Sequence, residues 1–258
     1  MLELERVGMH LAGLSGLALD VGFLQGATSY GRLRTLVINA TMALCGSRFG
    51  RTAIRPGGSG VTWDEATRDR LIRELASLGA DAAAVDERFL TAGTVLHRLA
   101  DTGTVTDTTA RDLGLVGPSA RASGVPIDAR SFGWPGFTPV VRTSGDCLAR
   151  AEVRARELQV SLAAISTRLA ARPAVGRVRA APRALSPDAL AVSVVEGWRG
   201  EVVHALETDA AGRPIDHHVQ DPSLRNWMGL ALAVRGQDIS DFPICNKSFD
   251  LSYCGNDL

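Results

Sequence analysis

The first hydrophobic pattern of the chain repeats at alternating spacings of three and four residues. Its members are Leu4, Val7, Leu11, Leu14, Ala18 and Val21. Because about 3.6 residues complete one turn of an α-helix, this spacing places all of these side chains on one face. The pattern predicts a helix that ends before the sequence QGATS at residues 25–29.

A second helix is predicted over residues 30–49. Its inward-facing positions are Leu33, Leu36, Val37, Ala40 and Leu44. The glycines and the proline of RPGGSG at residues 55–60 then predict a loop.

A third helix is predicted to begin at the sequence TWDE. Thr62 and Glu65 have the spacing of a capping box, in which each side chain accepts a hydrogen bond from a free amide of the first turn. We expect this helix to continue through Gly79 towards Leu90.

The middle of the chain is polar or rich in glycine and proline. Residues 102–109 predict a loop that leads to a short helix near residues 107–113. Residues 116–139 predict a long irregular segment, and irregular segments of this length in compact domains are often functional.

The longest uninterrupted helical pattern follows. Its inward positions are Leu148, Ala151, Ala155, Leu158, Leu162, Ile165 and Leu169. We expect Ser144 to cap the first turn and Pro173 to end the helix, because proline cannot continue it. Asp146 lies where a carboxylate interacts favourably with the positive end of the helix dipole.

β-Branched residues become frequent after residue 185. They predict an antiparallel β-hairpin in which residues 190–207 pair with residues 214–220. A short helix, NWMGLALAVRG, then ends at Gly236. The whole pattern predicts a mainly α (α+β) fold: a helical bundle with a small antiparallel β-hairpin near the C-terminus. A chain of 258 residues is long enough for one large domain or two small ones.

The charged residues balance, with 28 acidic and 28 basic side chains in 258 residues. Nucleic-acid-binding surfaces usually have a net positive charge, so this balance argues against a nucleic-acid partner. No window offers the roughly 20 apolar residues of a membrane-spanning helix, and the acidic N-terminal residues are unlike a secretion signal. We therefore expect a cytoplasmic protein whose four widely spaced cysteines are reduced thiols.

Common nucleotide and hydrolase motifs are absent from the sequence. It contains no G-x-G-x-x-G, no phosphate loop that ends in G-K-S or G-K-T, no H-E-x-x-H and no G-x-S-x-G. The sequence thus indicates neither a nucleotide site nor a zinc hydrolase of these types.

Two histidines of the predicted hairpin could form a cross-strand pair. If the turn lies near Ala211, His204 and His217 face each other, whereas His218 points to the opposite face. Such a pair could hold a metal ion, although the sequence shows no third ligand. Exposed histidines without a metal are the favoured alternative.

Four other polar residues are candidates for a functional site. His10 lies beside the apolar stripe of the first helix, where it is either a satisfied buried histidine or part of a site. Arg55, Arg121 and Asp128 lie on the two segments rich in glycine and proline. Such residues either converge on a site or bond to the carbonyls and amides of their own loops, and the sequence leaves both alternatives open.

Five segments occur in a fixed order and together resemble one protein family. They are ELERVGMH, CGSRFGRTAIRPGG, GLVGPSARASGVPIDAR, SGDCLARAEVRARELQVSL and DPSLRNWMGLALAVRGQDISDFPICNKSFDLSYCGNDL. They resemble the large subunit of energy-converting nickel–iron hydrogenases of the formate-hydrogenlyase type. They equally resemble the homologous 49-kDa chain of respiratory NADH:quinone oxidoreductase. The resemblance implies a helical bundle of the hydrogenase large-subunit type. It also implies a single domain over residues 1–258 that is truncated at its N-terminus relative to the family.

The C-terminal segment departs from the metal-binding motif of the family. Nickel–iron hydrogenases have the pattern D-P-C-x-x-C there, and Asp250 and Leu251 stand at its first two positions. Ser252 replaces the first cysteine, Gly255 replaces the second, and Cys254 lies one residue short of the ligand position. Serine is a poor ligand for soft metals and glycine has no ligand atom. The other cysteine pair of the family lies upstream of the matched region, so we expect no nickel–iron centre on this chain.

The resemblance also implies roles for the polar candidates. It implies that the helix of Glu5 and His10 faces an iron–sulfur partner subunit or the former active-site cavity of the family. The loops of Arg55, Arg121 and Asp128 are expected to face the same partner or cavity. There these residues would orient an electron acceptor or tune the potential of a nearby cluster.

The expected function is that of a subunit in a membrane-associated electron-transfer complex, either NADH:quinone oxidoreductase-like or hydrogenase-like. The chain would form part of a quinone cavity without binding a cofactor itself, and a 4Fe–4S cluster would lie in the partner subunit. NADH, if involved, would bind elsewhere in the complex. We expect the chain to be peripheral to a membrane arm, on the cytoplasmic face of the inner membrane. The alternatives are a non-catalytic assembly or interaction subunit and a split fragment of a hydrogenase-type large subunit.

Overall fold

Two units make up the computed structural model of the chain. The first contains Met1–Ala92 and Ala155–Arg183, and the second contains Gly93–Arg154 and Ala184–Leu258. The expectation of a single domain over the whole chain stays a prediction. The structure describes residues 1–61, 64–171, 180–181 and 183–254.

Helices α1 (Leu2–Asp20) and α2 (Leu24–Cys45) pack against each other in the first unit. The predicted apolar stripe of α1 is confirmed, and its buried side chains are Leu4, Val7, Leu11, Leu14 and Ala18. The prediction that QGATS separates two helices is wrong, because these residues lie within α2. The chain turns earlier, at Gly22, whose φ of +75° suits glycine. Position 26 of α2 suits glycine, because a β-carbon there would lie only 2.4 Å from a ring carbon of Phe23.

Helix α3 (Glu65–Thr91) runs without interruption through its internal glycine, as predicted. Its N-cap is Asp64, whose side chain accepts a hydrogen bond from the amide of Thr67. Glu65 is the first residue of the helix, so the predicted capping box is wrong. Thr62 lies outside the described residues.

The predicted loop at residues 55–60 contains a short antiparallel sheet. Strand β1 (Ile54–Arg55) pairs with strand β2 (Gly58–Ser59). Before this loop, Gly46 adopts the left-handed conformation and ends α2 ahead of its predicted end at residue 49.

Short helices form much of the second unit. They are α4 (Gly93–Leu99), α5 (Asp107–Asp112) and α6 (Gly117–Ala122), followed by a 3₁₀ helix at Ala129–Phe132. The short helix predicted near residues 107–113 is confirmed as α5. The segment 116–139 is less irregular than predicted, since Pro118 is compatible with the first turn of α6.

Helix α7 (Cys147–Ala170) confirms the longest predicted helix. Asp146 caps its first turn, because Oδ1 of Asp146 accepts a 2.7 Å hydrogen bond from the amide of Ala149. The prediction that Ser144 is the cap is wrong, since the Ser144 hydroxyl donates to Asp146. Pro173 lies outside the described residues.

Three antiparallel strands form the sheet of the second unit, in the spatial order β3, β4 and β5. They are β3 (Leu190–Glu196), β4 (Glu201–Thr208) and β5 (Pro214–Gln220). The predicted pairing with residues 214–220 is confirmed, but the prediction that residues 190–207 form one strand is wrong. A tight turn divides them, in which the amide of Gly197 donates to the carbonyl of Gly200.

In the described part of the chain, two α-helices follow the sheet, with a 3₁₀ helix at Ile239–Asp241 between them. Helix α8 (Pro222–Ala233) confirms the predicted short helix, and α9 (Phe242–Phe249) ends at Asp250, which has a φ of +55°. The predominance of helices over small antiparallel sheets confirms the mainly α (α+β) prediction. Across the described residues, no helix combines the length and the apolar character that crossing a membrane requires.

Gly145 holds the chain just before α7 in a conformation that a side chain would disrupt. Its φ is +67°, and a β-carbon would lie 2.0 Å from the carbonyl oxygen of Val105. Gly114 has a similar φ of +63°, but nothing lies within 4 Å of its β-carbon position. We expect Gly145→Ala to lower the free energy of unfolding by at least about 3 kcal/mol and Gly114→Ala by only about 1–2 kcal/mol. Urea denaturation measures both, and equal losses would contradict the packing argument.

Tyr30 and Asp86 form a buried polar pair in the first unit. The Tyr30 hydroxyl donates a 2.7 Å hydrogen bond to Oδ1 of Asp86. Burial raises the pKa of Asp86 from 3.8 to about 6, and the hydrogen bond from Tyr30 offsets only part of this increase. The folded state therefore binds the Asp86 proton more tightly than the unfolded state does.

The Asp86 carboxyl should make the folded state less stable as the pH rises from about 4 to about 6, because the folded state binds more protons in this window. A difference of about two pKa units corresponds to roughly 3 kcal/mol. Asp86→Asn cannot titrate, so its free energy of unfolding relative to the unmodified chain should rise by roughly 2–3 kcal/mol between about pH 4 and about pH 7. Urea denaturation at the two pH values tests this, and a constant difference would refute it.

Candidate functional site

A cavity of about 210 Å³ lies in the first unit beside α1. Its walls come from α1, from α2 and from the chain around β1. Its apolar lining includes Leu2, Leu4, Met9, Val37, Ile38, Phe49 and Ile54. Charged side chains at the cavity are Glu5, Arg34 and Arg48. An apolar cavity with a few polar groups is the usual form of a small-molecule site.

Glu5 lines the cavity and is also exposed to solvent. The surrounding protein removes part of its hydration and raises the pKa of this carboxyl, while the neighbouring Arg6 lowers it to a lesser extent. Arg34 is half-buried and Arg48 is exposed, with its guanidinium 5.1 Å from the ring centre of Phe49. The cavity thus combines a carboxyl that is easier to protonate than usual with two permanent positive charges.

His10 is completely buried on α1 and does not line the cavity, although its neighbour Met9 does. Its Nε2 lies 3.1 Å from Oε2 of Glu157 on α7, and neither side chain is exposed. The nearby Glu3 carboxylate accepts hydrogen bonds from Arg6 and from Ser161. Sequence reasoning did not identify Glu157. The signal for its burial in the sequence is its position directly before Leu158 in the apolar pattern of α7.

Arg55 is exposed on β1 and also lies outside the cavity lining, although its neighbour Ile54 belongs to it. The Nε of Arg55 donates a 3.0 Å hydrogen bond to the carbonyl oxygen of Thr52. This hydrogen bond corresponds to the alternative in which Arg55 bonds to a carbonyl of its own loop.

Arg121 and Asp128 lie together in a buried ionic network of the second unit. Nη1 of Arg121 lies 2.8 Å from Oε1 of Glu196 and 3.4 Å from Oδ2 of Asp128, and the three side chains are almost completely buried. Nη2 of Arg130 lies 2.6 Å from Oδ2 of Asp128. Burial raises the pKa of Glu196, while Arg121 lowers it. Sequence reasoning did not single out Arg130 or Glu196. Glu196 reaches the network from β3 and is 75 positions from Arg121 in sequence.

The four candidates are therefore divided between the two units and do not form one cluster inside either of them. His10 and Arg55 are in the first unit, whereas Arg121 and Asp128 are in the second. Only Arg121 and Asp128 are in direct contact with each other. The roles suggested for these four residues stay predictions.

The C-terminal segment offers a poor set of donors for a nickel–iron centre. The Ser252 hydroxyl oxygen lies 3.2 Å from the exposed Cys254 sulfur. The amide of Ser252 donates to the Ser223 hydroxyl, and its carbonyl accepts from the indole of Trp227. One hydroxyl and one thiol do not fit a centre that needs several thiolates. Gly255 lies outside the described residues.

His204 and His217 contact each other on the sheet of the second unit. Nδ1 of His204 lies 3.0 Å from Nε2 of His217, and both side chains are exposed. They are diagonal neighbours, since His204 lies opposite Val219. His218 lies on the opposite face, as predicted, 2.8 Å from a carboxylate oxygen of Asp216. Within the described part of the chain, no group of three or more His, Cys, Asp or Glu side chains is arranged to hold a metal ion.

Comparison with known proteins identifies one family. The model for the 49-kDa subunit of respiratory-chain NADH dehydrogenase matches residues 20–188. A carbon monoxide-induced hydrogenase of Rhodospirillum rubrum is 29% identical over 96% of this chain and 70% of its own length. A subunit of the NADH-quinone oxidoreductase of Salinibacter ruber is 28% identical over 97% of this chain and 63% of its own length.

Two archaeal proteins are also similar. The membrane-bound hydrogenase subunit alpha of Pyrococcus furiosus is 28% identical over 96% of this chain and 63% of its own length. A chain in the structure of the membrane-bound sulfane sulfur reductase, an archaeal respiratory membrane complex, superposes with a TM-score of 0.88 at 22% identity. That superposition covers 100% of this chain and 73% of the other, and it confirms the helical fold expected from the resemblance. The chain thus spans about two thirds of the length of these relatives.

Arg121 should contribute strongly to stability, because it pairs with two buried carboxylates. We expect Arg121→Gln to lower the free energy of unfolding by about 3–5 kcal/mol, since Asp128 and Glu196 would lose their shared cation. The matched control is Arg111→Gln, which breaks an exposed pair with Asp107 and should have little measurable effect. Urea denaturation measures both variants, and similar effects would show that the buried network contributes little.

Proposed function

Because the chain belongs to the family of the 49-kDa subunit of respiratory-chain NADH dehydrogenase, we propose that it is a subunit of a membrane-associated electron-transfer complex. The complex is of the NADH:quinone oxidoreductase or hydrogenase type, and the chain forms part of the cavity for a quinone-like acceptor. The observation that carries this proposal is the cavity beside α1, which combines apolar walls with one carboxyl and two guanidinium groups.

The names of the relatives support the general class of complex. One similar protein is a subunit of an NADH-quinone oxidoreductase, and two others are a hydrogenase and a subunit of a membrane-bound hydrogenase. Quinone as the acceptor and an iron–sulfur partner subunit are the finer parts of the proposal. NADH, where it is the electron donor, binds to another subunit, because this sequence has no nucleotide motif.

The size of the cavity favours the head group of a quinone over its isoprenoid tail. About 210 Å³ is smaller than typical ligand sites, which have roughly 300–1,000 Å³. Leu4, Val37 and Ile38 provide apolar surface for the ring. The tail of the acceptor would extend outside this cavity, towards the rest of the complex.

The charged groups at the cavity suit the chemistry of quinone reduction. A quinone takes up two electrons and two protons to form a quinol, and in this proposal the electrons come from a 4Fe–4S cluster of the partner subunit. The Glu5 carboxyl contacts both solvent and the cavity, so it can pass a proton to a carbonyl oxygen of the acceptor. Arg34 and Arg48 stabilise the negative charge that develops on that oxygen.

The remaining candidates act at a distance in this proposal. His10 lies on α1, the helix that also presents Glu5 and Met9 to the cavity, and forms a buried ionisable pair with Glu157 of α7. Their charge tunes the potential of the partner's cluster, whereas Arg55 faces the partner subunit. Arg121 and Asp128 fix the conformation of their own loop in the second unit, which also faces the partner subunit.

The proposal places no nickel–iron centre on this chain, because its C-terminal donors do not fit one. Ser252 and Cys254 supply one hydroxyl and one thiol where the family pattern has two cysteines. We place the chain at the cytoplasmic face of the inner membrane, as a peripheral subunit docked on a membrane arm.

A non-catalytic assembly subunit or a split fragment is the second candidate. Phe132 and Ile239 favour it, because these apolar side chains are 90% and 95% exposed and suit contacts with another protein. Both candidates predict partner chains, and they differ in whether the acceptor binds beside α1.

Purification of the tagged chain from membranes of its native host tests the proposed function. We expect an iron–sulfur protein to co-purify with at least about four iron atoms per complex and with quinone reductase activity. Partners without acceptor binding would favour the assembly role, and a partner that carries the other cysteine pair of the family would favour a split subunit. Stoichiometric nickel on this chain would refute the proposal.

Glu5→Gln tests the cavity directly within the purified complex. The amide cannot donate an acidic proton, so we expect turnover with a soluble quinone to fall roughly 10- to 100-fold near neutral pH. The matched control is Glu87→Gln, at an exposed position of α3, which should leave turnover unchanged. Normal assembly and normal turnover of Glu5→Gln together would exclude this cavity as the acceptor site.

A further inference from the structure

Two buried cysteines of the second unit contact each other. Sγ of Cys147 at the start of α7 lies 4.0 Å from Sγ of Cys245 within α9. Neither residue is exposed to solvent. The two residues are 98 positions apart in sequence, so their contact is a product of the fold.

The surroundings of this pair are positively charged. Nη2 of Arg150 lies 3.3 Å from Sγ of Cys147 and donates to it. The guanidinium is fixed there by hydrogen bonds to the carbonyls of Gly103 and Gly145 and to the hydroxyl of Ser248. Cys147 is also the first residue of α7, where the helix dipole favours negative charge.

The Cys147 sulfur is accordingly stabilised as a thiolate. A hydrogen bond from Cys245 and the charge of Arg150 lower the pKa of Cys147 to about 6, against an opposing effect of burial. The same hydrogen bond and burial raise the pKa of Cys245. These opposite directions favour Cys147 as the nucleophilic sulfur and Cys245 as the protonated partner.

This arrangement differs from ordinary packing of buried cysteines. A thiol in apolar surroundings has a raised pKa and is inert, so it behaves as a small hydrophobic side chain. Among the described residues, the other two cysteines are Cys45, which is half-buried, and Cys254, which is exposed. They serve as internal controls for reactions that need only an accessible thiol.

We propose that Cys147 and Cys245 form a redox-active dithiol that a small hydroperoxide oxidises to a disulfide. The Cys147 thiolate attacks one peroxide oxygen, so that an S–O bond forms and the O–O bond breaks; the departing hydroxide takes up a proton and leaves as water. The Cys245 sulfur then attacks the Cys147 sulfur, an S–S bond forms, the S–O bond breaks, and a second water leaves with the Cys245 proton. Two thiols lose two electrons in total, and hydrogen peroxide is reduced to two water molecules.

The reaction requires a modest movement of α9. The sulfurs must approach from 4.0 Å to about 2.05 Å. Because both are buried, the peroxide reaches them during local opening of the short helix α9. The resulting disulfide joins α7 to α9. This inference does not depend on the proposed electron-transfer function.

Peptide mapping of the oxidised full-length chain tests the dithiol. The reduced protein is treated with an equimolar amount of hydrogen peroxide, alkylated under denaturing conditions, digested and analysed by mass spectrometry. We expect a linked peptide that contains Cys147 and Cys245 and has lost two hydrogen atoms. Alkylated Cys147 and Cys245, alongside oxidised Cys254 or Cys45, would overturn the proposal.

The double variant Cys45→Ser with Cys254→Ser leaves the buried pair itself unmodified. A folding defect at Cys147 or Cys245 therefore cannot affect this second test. It leaves α7 and α9 unchanged and removes the other described thiols, so disulfides between chains cannot form through them. We expect the same Cys147–Cys245 link at an unchanged rate. Cys245→Ser should instead stop the reaction at oxidised Cys147, which dimedone traps as a covalent adduct.

The pH dependence of oxidation separates a stabilised thiolate from an ordinary thiol. The charged groups that act on the pair are Arg150 from α7 and, on Cys245, Asp241 from the chain just before α9. The rate in the double variant should reach a plateau near neutral pH. An increase of roughly tenfold per pH unit up to about pH 8.5, as for an unperturbed thiol, would overturn the role of Arg150.

Discussion

The need to compensate buried charge is the constraint on which the rest of this structure depends. Helix α7 carries Arg150, Arg154 and Glu157, each at most 2% exposed. A buried charge without partners costs several kcal/mol, so each of these side chains requires partners nearby. In the second unit, Arg150 and Arg154 bond to loop carbonyls and to α9, and in the first unit Glu157 contacts His10. Hydrogen-bond geometry as well as apolar packing thereby fixes the neighbours of α7.

Apolar periodicity was sufficient to predict the long helices but not these contacts. Glu157 directly precedes an apolar position of α7, and by pattern alone it resembles a residue of the solvated face. Its partner His10 is 147 positions away, and Glu196 is 75 positions from Arg121. Local patterns contain no information about pairs at such separations. The sequence therefore pointed to His10, Arg121 and Asp128, whereas the acidic partners became visible only in the fold.

Helix starts and turns show the same limit on a smaller scale. The caps of α3 and α7 are Asp64 and Asp146, although the sequence favoured Thr62 and Ser144. Several side chains near a helix start can accept the free amides, and the path of the incoming chain decides among them. Gly197 and Gly200 similarly form a turn that the β-branched pattern concealed. The predicted fold class is correct despite these errors, because it depends on the long helices.

The bonds around Ser252 explain how residues 250–252, near the end of the described chain, are held in place. Its amide and its carbonyl are tied to Ser223 and Trp227 of α8, and the carbonyl of Asp250 accepts from Arg199. Peptide groups of the tail are thus anchored by one hydroxyl, one indole and one guanidinium group. The path of residues 250–252 is consequently held by hydrogen bonds that form as the polypeptide itself folds.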